Sequence, residues 1–198
     1  MGAHGISLVP VTASKLIVIR GNSGSGKTSI AREVRTRYGR GLALIEQDYF
    51  RRIVLREHDS TESAGIAPEF IGTAARFALE QGYHVVLEGI LSVARYARMI
   101  GDLVATHRGE SHLFYLDVSF DETIRRHATR SMAGEVTPDQ MRAWYQPHDV
   151  LGTPGEQVIA ESSTFEETVT RVLDTSGLMH AVATTYCPAV CPRCRGDG

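Results

Sequence analysis

Short apolar runs and longer amphipathic stretches take turns along this chain. Leu16-Ile17-Val18-Ile19 is a continuous, largely β-branched run, the composition of a strand buried on both faces. Thr28 to Tyr38 places Ile30, Ala31 and Val34 at helical spacing and stops at Gly39, a residue suited to a helix C-terminus. A second apolar run, Leu42-Ala43-Leu44-Ile45, ends in Glu46-Gln47-Asp48. Pro68 to Gln81 reads as a long helix with Phe70, Ile71, Ala74, Phe77 and Ala78 on one face, closed by Gly82. Val85-Val86-Leu87 gives a third strand that stops at Glu88-Gly89, and helical pattern returns from Val93 to about His107.

Leu113-Phe114-Tyr115-Leu116 reads as a fourth strand, with Asp121 capping a helix that runs to about Arg130. Thr137-Pro138-Asp139-Gln140 has the form of a capping box with proline at the first helical position, opening a short helix that ends near Tyr145. Gln157-Val158-Ile159-Ala160 is a fifth strand, and Ser163 with Glu166 opens a last helix to about Ser176. Five alternations of strand and helix predict an α/β fold in three layers, a five-stranded parallel sheet with helices on both faces. Each parallel pair needs a crossover, and the crossovers bury both sides of the sheet. The expected organisation is a lead-in over 1–14, one domain over 15–179 and a tail over 180–198.

Length and composition narrow the class. At 198 residues, 42% hydrophobic and 22% charged, the chain suits one globular domain. A net charge of -2 gives no basic field for a nucleic-acid backbone or an anionic membrane. No run of 18 apolar residues and no signal-peptide layout is present, so the expected location is cytoplasmic. The three cysteines, Cys187, Cys191 and Cys194, all fall in the tail. Their C-x3-C-x2-C spacing matches radical iron–sulfur sites, and with His180 they would make a zinc set; a tail without a metal is the plainer reading.

Chemistry concentrates in Gly21-Asn22-Ser23-Gly24-Ser25-Gly26-Lys27-Thr28-Ser29, which satisfies G-x-x-x-x-G-K-[ST] between a strand and a helix, the context that motif requires. Glycines let successive amides curl toward an anion, and the following helix adds the positive end of its dipole. Lys27, one of only two lysines beside nineteen arginines, would reach the β- and γ-phosphates as a compact charge, and the Thr28 hydroxyl would ligate Mg²⁺. ATP and Mg²⁺ are the expected cofactors.

On these residues, Leu16 to about Leu178 resembles the P-loop small-molecule kinases, the nucleoside, shikimate and gluconate kinase group near the zeta-toxin and chloramphenicol-phosphotransferase branch. The resemblance implies a P-loop NTPase fold with a helical lid over about 130–150, and transfer of the γ-phosphate to a hydroxyl of a nucleoside, sugar, antibiotic or nucleotide-sugar. It implies that Asp48, after the second strand, takes the hydroxyl proton, and that Glu88 contacts magnesium through water or orients the acceptor. Of Arg51 and Arg52, neighbours about 100° apart on a helix, one is expected to face an anionic or polar acceptor; Arg52 is the candidate. Arg126 and Arg130, four apart, would grip the γ-phosphate when the lid around Gly134 closes, ahead of Arg125 and Arg142. Tyr145, with Trp144, His148 and Asp149, would line the acceptor pocket. The alternatives are a regulatory ATPase or switch acting on a protein, which lacks its usual Walker-B aspartate and N-K-x-D motif here, and a polynucleotide kinase, which the charge disfavours.

Overall fold

The computed structural model describes residues 13–57, 65–128 and 137–181. Five strands, β1 (Lys15–Gly21), β2 (Leu42–Glu46), β3 (His84–Gly89), β4 (Glu110–Asp117) and β5 (Glu156–Ala160), form one sheet in the order β2-β3-β1-β4-β5. Every pairing is parallel, with Ile19 of β1 opposite Glu88 of β3 and Phe114 of β4. The helices are α1 (Lys27–Tyr38), α2 (Ala67–Glu80), α3 (Val93–Thr106), α4 (Phe120–Ala128), α5 (Pro138–Trp144) and α6 (Phe165–Thr175), with a π-helical turn at Tyr49–Val54.

Alternate residues of β1 serve two cores. Ile17 and Ile19 pack with Ile30 and Val34 of α1 and Val169 and Val172 of α6. Leu16 and Val18 pack with Ile71 and Ala75 of α2 and Met99 and Leu103 of α3. The three-layer α/β/α arrangement follows from that alternation, since a parallel strand covered on both sides must be apolar at every position. β1 and β3 therefore end in the middle of the sheet, where the order reverses and the loops part.

Three local expectations are corrected. The buried stripe of α2 is Ala67, Ile71, Ala75 and Leu79, while Phe70 and Phe77 face outward, Phe77 64% exposed. α3 comes close at one point of that helix: a Cβ on Gly72 would lie 2.8 Å from Met99 Cγ. At α4, Ser119 and not Asp121 takes the cap position, its carbonyl accepting from Thr123 N at 2.9 Å. At α6 the capping box is Thr164 with Glu167, one residue later than expected; Ser163 bonds Thr168 and Glu166 bonds Arg37. The Thr137–Gln140 box at α5 forms as the sequence predicts. Arg130, Gly134 and the three cysteines lie outside the described residues.

Candidate active site

β1 runs into Asn22–Gly26, and α1 begins at Lys27. Gly24 (φ 83°) and Gly26 (φ 102°) adopt left-handed backbone, which L side chains resist. A Cβ on Gly24 would also lie 2.7 Å from the Thr123 carbonyl, so the loop is pressed against α4. Ser25 N donates to the Asn22 carbonyl at 3.1 Å, and the buried Lys27 Nζ donates to the same oxygen at 2.9 Å. The ammonium is thereby held across the loop that its own helix follows.

Facing it, Thr28 Oγ1 donates to Glu88 Oε1 at 3.0 Å. Glu88 is buried at the end of β3, and burial raises its pKa, with Glu46 and Asp48 adding to the rise and Lys27 and Thr28 opposing it. Thr28, Glu88 and Asp48 line one pocket of about 100 Å³ with Ser23, Gly24 and Lys27. These are hard oxygen donors, and Mg²⁺ is held by one or two such protein oxygens while keeping waters and phosphate oxygens as its other ligands. The donor set fits that ion.

Two larger cavities flank this pocket and share walls with it. On one side about 410 Å³ opens between the loop and the β5–α6 connection, lined by Ser25, Gly26, Ser29, Arg125, Arg126 and Glu161 among others. On the other side about 200 Å³ opens beside the π-helical turn, lined among others by Asp48, Arg51, Arg52, Arg95, Tyr96 and Trp144. Gly26 belongs to the first pair of cavities, and Gln47, Asp48 and Ile90 to the second. The three spaces therefore run in series along the carboxyl ends of the strands, with Asp48 at the second junction.

The expected site residues divide by position. Lys27, Thr28, Asp48 and Glu88 meet in the central pocket. Arg51 and Arg52, three and four residues after Asp48, both line the 200 Å³ cavity, although only one of them is expected from the sequence to face a ligand. Their guanidinium nitrogens lie 3.4 and 3.3 Å from Asp48 Oδ1. Arg126 is brought to the opposite flank of the loop, where Nη1 donates to the Ser25 carbonyl (3.0 Å) and Nη2 to the Glu161 carbonyl (3.2 Å). Glu122 holds it there and also pairs with Arg125, and both guanidiniums keep the Glu122 carboxyl down at about 2.

Of Trp144, Tyr145 and His148, Trp144 alone lines the 200 Å³ cavity. Tyr145 donates its hydroxyl to the Val118 carbonyl (3.1 Å) and packs against Phe120, over which Arg142 stacks at 4.1 Å. His148 pairs with Asp117 at 2.8 Å.

Sequence reasoning missed one residue that assembles the site, Arg20, and the tertiary role of another, Asn22. Arg20, wholly buried at the end of β1, donates to the Leu91 carbonyl, to Glu156 Oε1 (2.7 Å) and twice to Asp149, and so draws the 149–156 segment onto the strand ends. Its signal was available: an arginine inside "LIVIRG" demands buried anions. Asn22 pairs both ways with the Gln146 backbone, at 2.8 and 2.9 Å, tying the phosphate loop to the exit of α5. No spacing rule links residues 124 positions apart.

The sequence matches the AAA_33 family, described as an AAA domain, over residues 16–148. No protein of curated function matches it. The fold is similar to that of Mycobacterium tuberculosis APS kinase CysC, solved with AMPPNP and APS, at a TM-score of 0.66 and 18% identity over 86% of this chain and 99% of that one. A gluconokinase from Sinorhizobium meliloti 1021 is similar at 0.61 and 18% identity over 86% and 95%. The Deinococcus radiodurans tunicamycin resistance protein is similar at 0.58 and 16% identity over 83% and 96%. Likeness at such identities speaks to the fold, that of the P-loop NTPases. No helix among the described residues is long and apolar enough to cross a membrane.

Proposed function

The chain belongs to the AAA_33 family of AAA domains, and we propose that it is an ATP-dependent phosphotransferase acting on a hydroxyl of a small molecule. One observation carries the reading: Asp48 stands where the pocket of Lys27, Thr28 and Glu88 opens into a separate polar cavity. A nucleotide hydrolase or switch needs the phosphate pocket alone, whereas a kinase needs a second, adjoining place for the acceptor. Similar folds in an APS kinase and a gluconokinase accord with this choice. A cytoplasmic location would accord with the use of ATP.

In this reading the nucleoside of ATP occupies the 410 Å³ cavity and its phosphates the central pocket. The loop amides and Lys27 hold the β- and γ-phosphate oxygens. Asp48 accepts the acceptor's hydroxyl proton as its oxygen bonds the γ-phosphorus, the bond from that phosphorus to the bridging oxygen breaks, and ADP leaves. Thr28, and Glu88 through water, would hold Mg²⁺, which supplies neutralisation of phosphate charge. Because catalysis of this kind is mainly positioning and charge stabilisation, an aspartate at the junction and a lysine across the loop are its two necessities. Arg126, held beside Ser25, would brace the loop on the nucleoside side, and closure of the 130–150 segment would bring Arg130 to the transferring phosphoryl group and exclude water.

The test is transfer of label from γ-labelled ATP to a panel of hydroxyl compounds. Wild type should label at least one. Asp48→Asn should keep nucleotide affinity and lose about 10²–10⁴ in turnover; unchanged turnover would remove Asp48 from the reaction, and hydrolysis stimulated only by a macromolecule would favour a switch.

A further inference from the structure

Asn22 holds two parts of the site at once. It lies inside the phosphate loop, 3% exposed, and its side chain grips the backbone at the exit of α5. Nδ2 donates to the Gln146 carbonyl at 2.8 Å, and Gln146 N donates to Oδ1 at 2.9 Å. The Asn22 carbonyl accepts from Lys27 Nζ at 2.9 Å. On one side, then, Asn22 meets the lysine of the phosphate pocket. On the other it meets a wall of the 200 Å³ cavity, which Ala143, Trp144 and Gln146 help to line.

The neighbouring anchors of this segment end elsewhere. Tyr145 Oη donates to the Val118 carbonyl, and His148 pairs with Asp117. Asp149 is held by Arg20 and by Tyr115, whose Oη accepts from Asp149 N at 3.0 Å. Those partners lie on β1, on β4 or just after it, strands that the two cores enclose. Asn22 belongs instead to the loop that phosphate would touch. Phosphate oxygens compete with the Asn22 carbonyl for the Lys27 ammonium, and a charged acceptor is the stronger partner. Binding at the loop therefore acts on the Asn22 peptide, and Gln146 is joined to that residue by two hydrogen bonds. Two residues before Gln146, the Trp144 ring lies 5.8 Å from the Arg52 guanidinium, which approaches Asp48 Oδ1 at 3.3 Å. A contiguous row of contacts runs from Lys27 to Asp48.

Resting on the kinase reading above, we propose that Asn22 is a positioning residue that couples the two substrates: nucleotide in the phosphate loop resets the Trp144–Gln146 wall of the acceptor's cavity through the Asn22–Gln146 pair. By linkage, a ligand in that cavity changes nucleotide affinity by the same factor, ordinarily about 5- to 150-fold for coupled sites. Trp144 is the single tryptophan of the chain, so its emission reports on this wall. In the kinase reading the nucleoside occupies the cavity on the other side of the loop, which Trp144 does not line, so a response at Trp144 is not contact with the base.

The experiment follows Trp144 emission and its quenching by acrylamide as Mg·AMPPNP is added to the full chain, with calorimetry on the same samples. Wild type should bind and shift both signals. Asn22→Ala should bind and leave both signals unmoved. Tyr145→Phe removes a different anchor of the same segment and should keep the response, which separates coupling from mere support. A response in Asn22→Ala as large as in wild type, or heat without any response in wild type, overturns the proposal and leaves the kinase reading standing. Loss of the response in Tyr145→Phe as well as in Asn22→Ala also overturns it, since any anchor would then serve. Should Asn22→Ala fail to fold in melting curves or to bind, hydrogen exchange at the Gln146 amide of wild type decides. Its rate should change on addition of Mg·AMPPNP, and an unchanged rate overturns the proposal. No heat in wild type removes the nucleotide reading and this proposal together.

Discussion

Replacing Arg20 by methionine tests how the two sides of the site are held together. The guanidinium is 0% exposed and makes four hydrogen bonds: to the Leu91 carbonyl, to Glu156 Oε1 and to the carbonyl and carboxylate of Asp149. Methionine fills the space and leaves Glu156, its side chain 3% exposed, as an unpaired buried charge. Breaking a buried pair in this way costs about 3–5 kcal/mol. For a chain of this length that lowers the melting temperature by roughly 6–20 °C, at about 2–4 °C per kcal/mol.

Glu156→Gln in the same background removes the stranded charge. The amide oxygen still accepts from Leu151 N, now bonded at 2.5 Å by Glu156 Oε2. The double variant should therefore be at least about 2 kcal/mol more stable than the two single losses add up to. Thermal unfolding reads the first quantity and urea unfolding the second, both followed by circular dichroism without nucleotide. A melting temperature for Arg20→Met within about 2 °C of wild type, or strict additivity in the cycle, would refute the reasoning. The consequence reaches function through Asp149, whose Oδ2 also accepts from Val93 N at the start of α3, the helix that carries Arg95 and Tyr96.

Two further outcomes concern pH. His84 is buried with Nδ1 accepting from Lys15 N, and burial, aided by the Lys15 charge, lowers its pKa from 6.5 to about 4. A histidine depressed in the fold gives stability that is complete above its unfolded value of 6.5 and drains away as pH falls through about 4. The full difference is on the order of 3 kcal/mol; urea midpoints between pH 7 and 4 should show it, and His84→Gln should flatten that slope. Glu88 is raised by burial above 4.5, so its protonated form builds up at higher pH than an ordinary carboxyl and activity should fail early on the acid side. Glu88→Gln should lower kcat/KM and abolish that acid limb; an unchanged limb would assign it to another group.

Whatever depends on local pattern was readable before the fold was seen. The β-branched run Leu16–Ile19, the glycines that follow and Lys27 fix strand, loop and helix by short-range sterics, and β1, the loop and α1 appear where the pattern places them. Thr137 and Gln140 likewise form their reciprocal cap. The pattern misled where a neighbour decides. Phe70 and Phe77 look like core residues by hydrophobicity, but the stripe that is buried is Ala67, Ile71, Ala75 and Leu79, and α3 leaves no room for a side chain at Gly72. Tyr145 reads as a pocket aromatic, yet Phe120 and the Val118 carbonyl claim it and Trp144 takes its place. Arg95 stayed unnoticed because nothing in "SVARYARM" says which turn of α3 meets the π-helical turn. Asn22 sits inside the motif as one of its unspecified positions, and its pairing with Gln146 is a tertiary event.

The most direct test of the whole account is calorimetric titration of Mg·ATP and Mg·GTP into the purified chain beside its Lys27→Ala variant. Wild type should take up one nucleotide per chain with saturable heat, and the variant should lose at least about tenfold in affinity, the value of a charge-assisted contact to phosphate. Absence of saturable heat with either nucleotide, or equal affinity in the two proteins, would contradict the claim that the loop from Gly21 to Thr28 cradles a triphosphate.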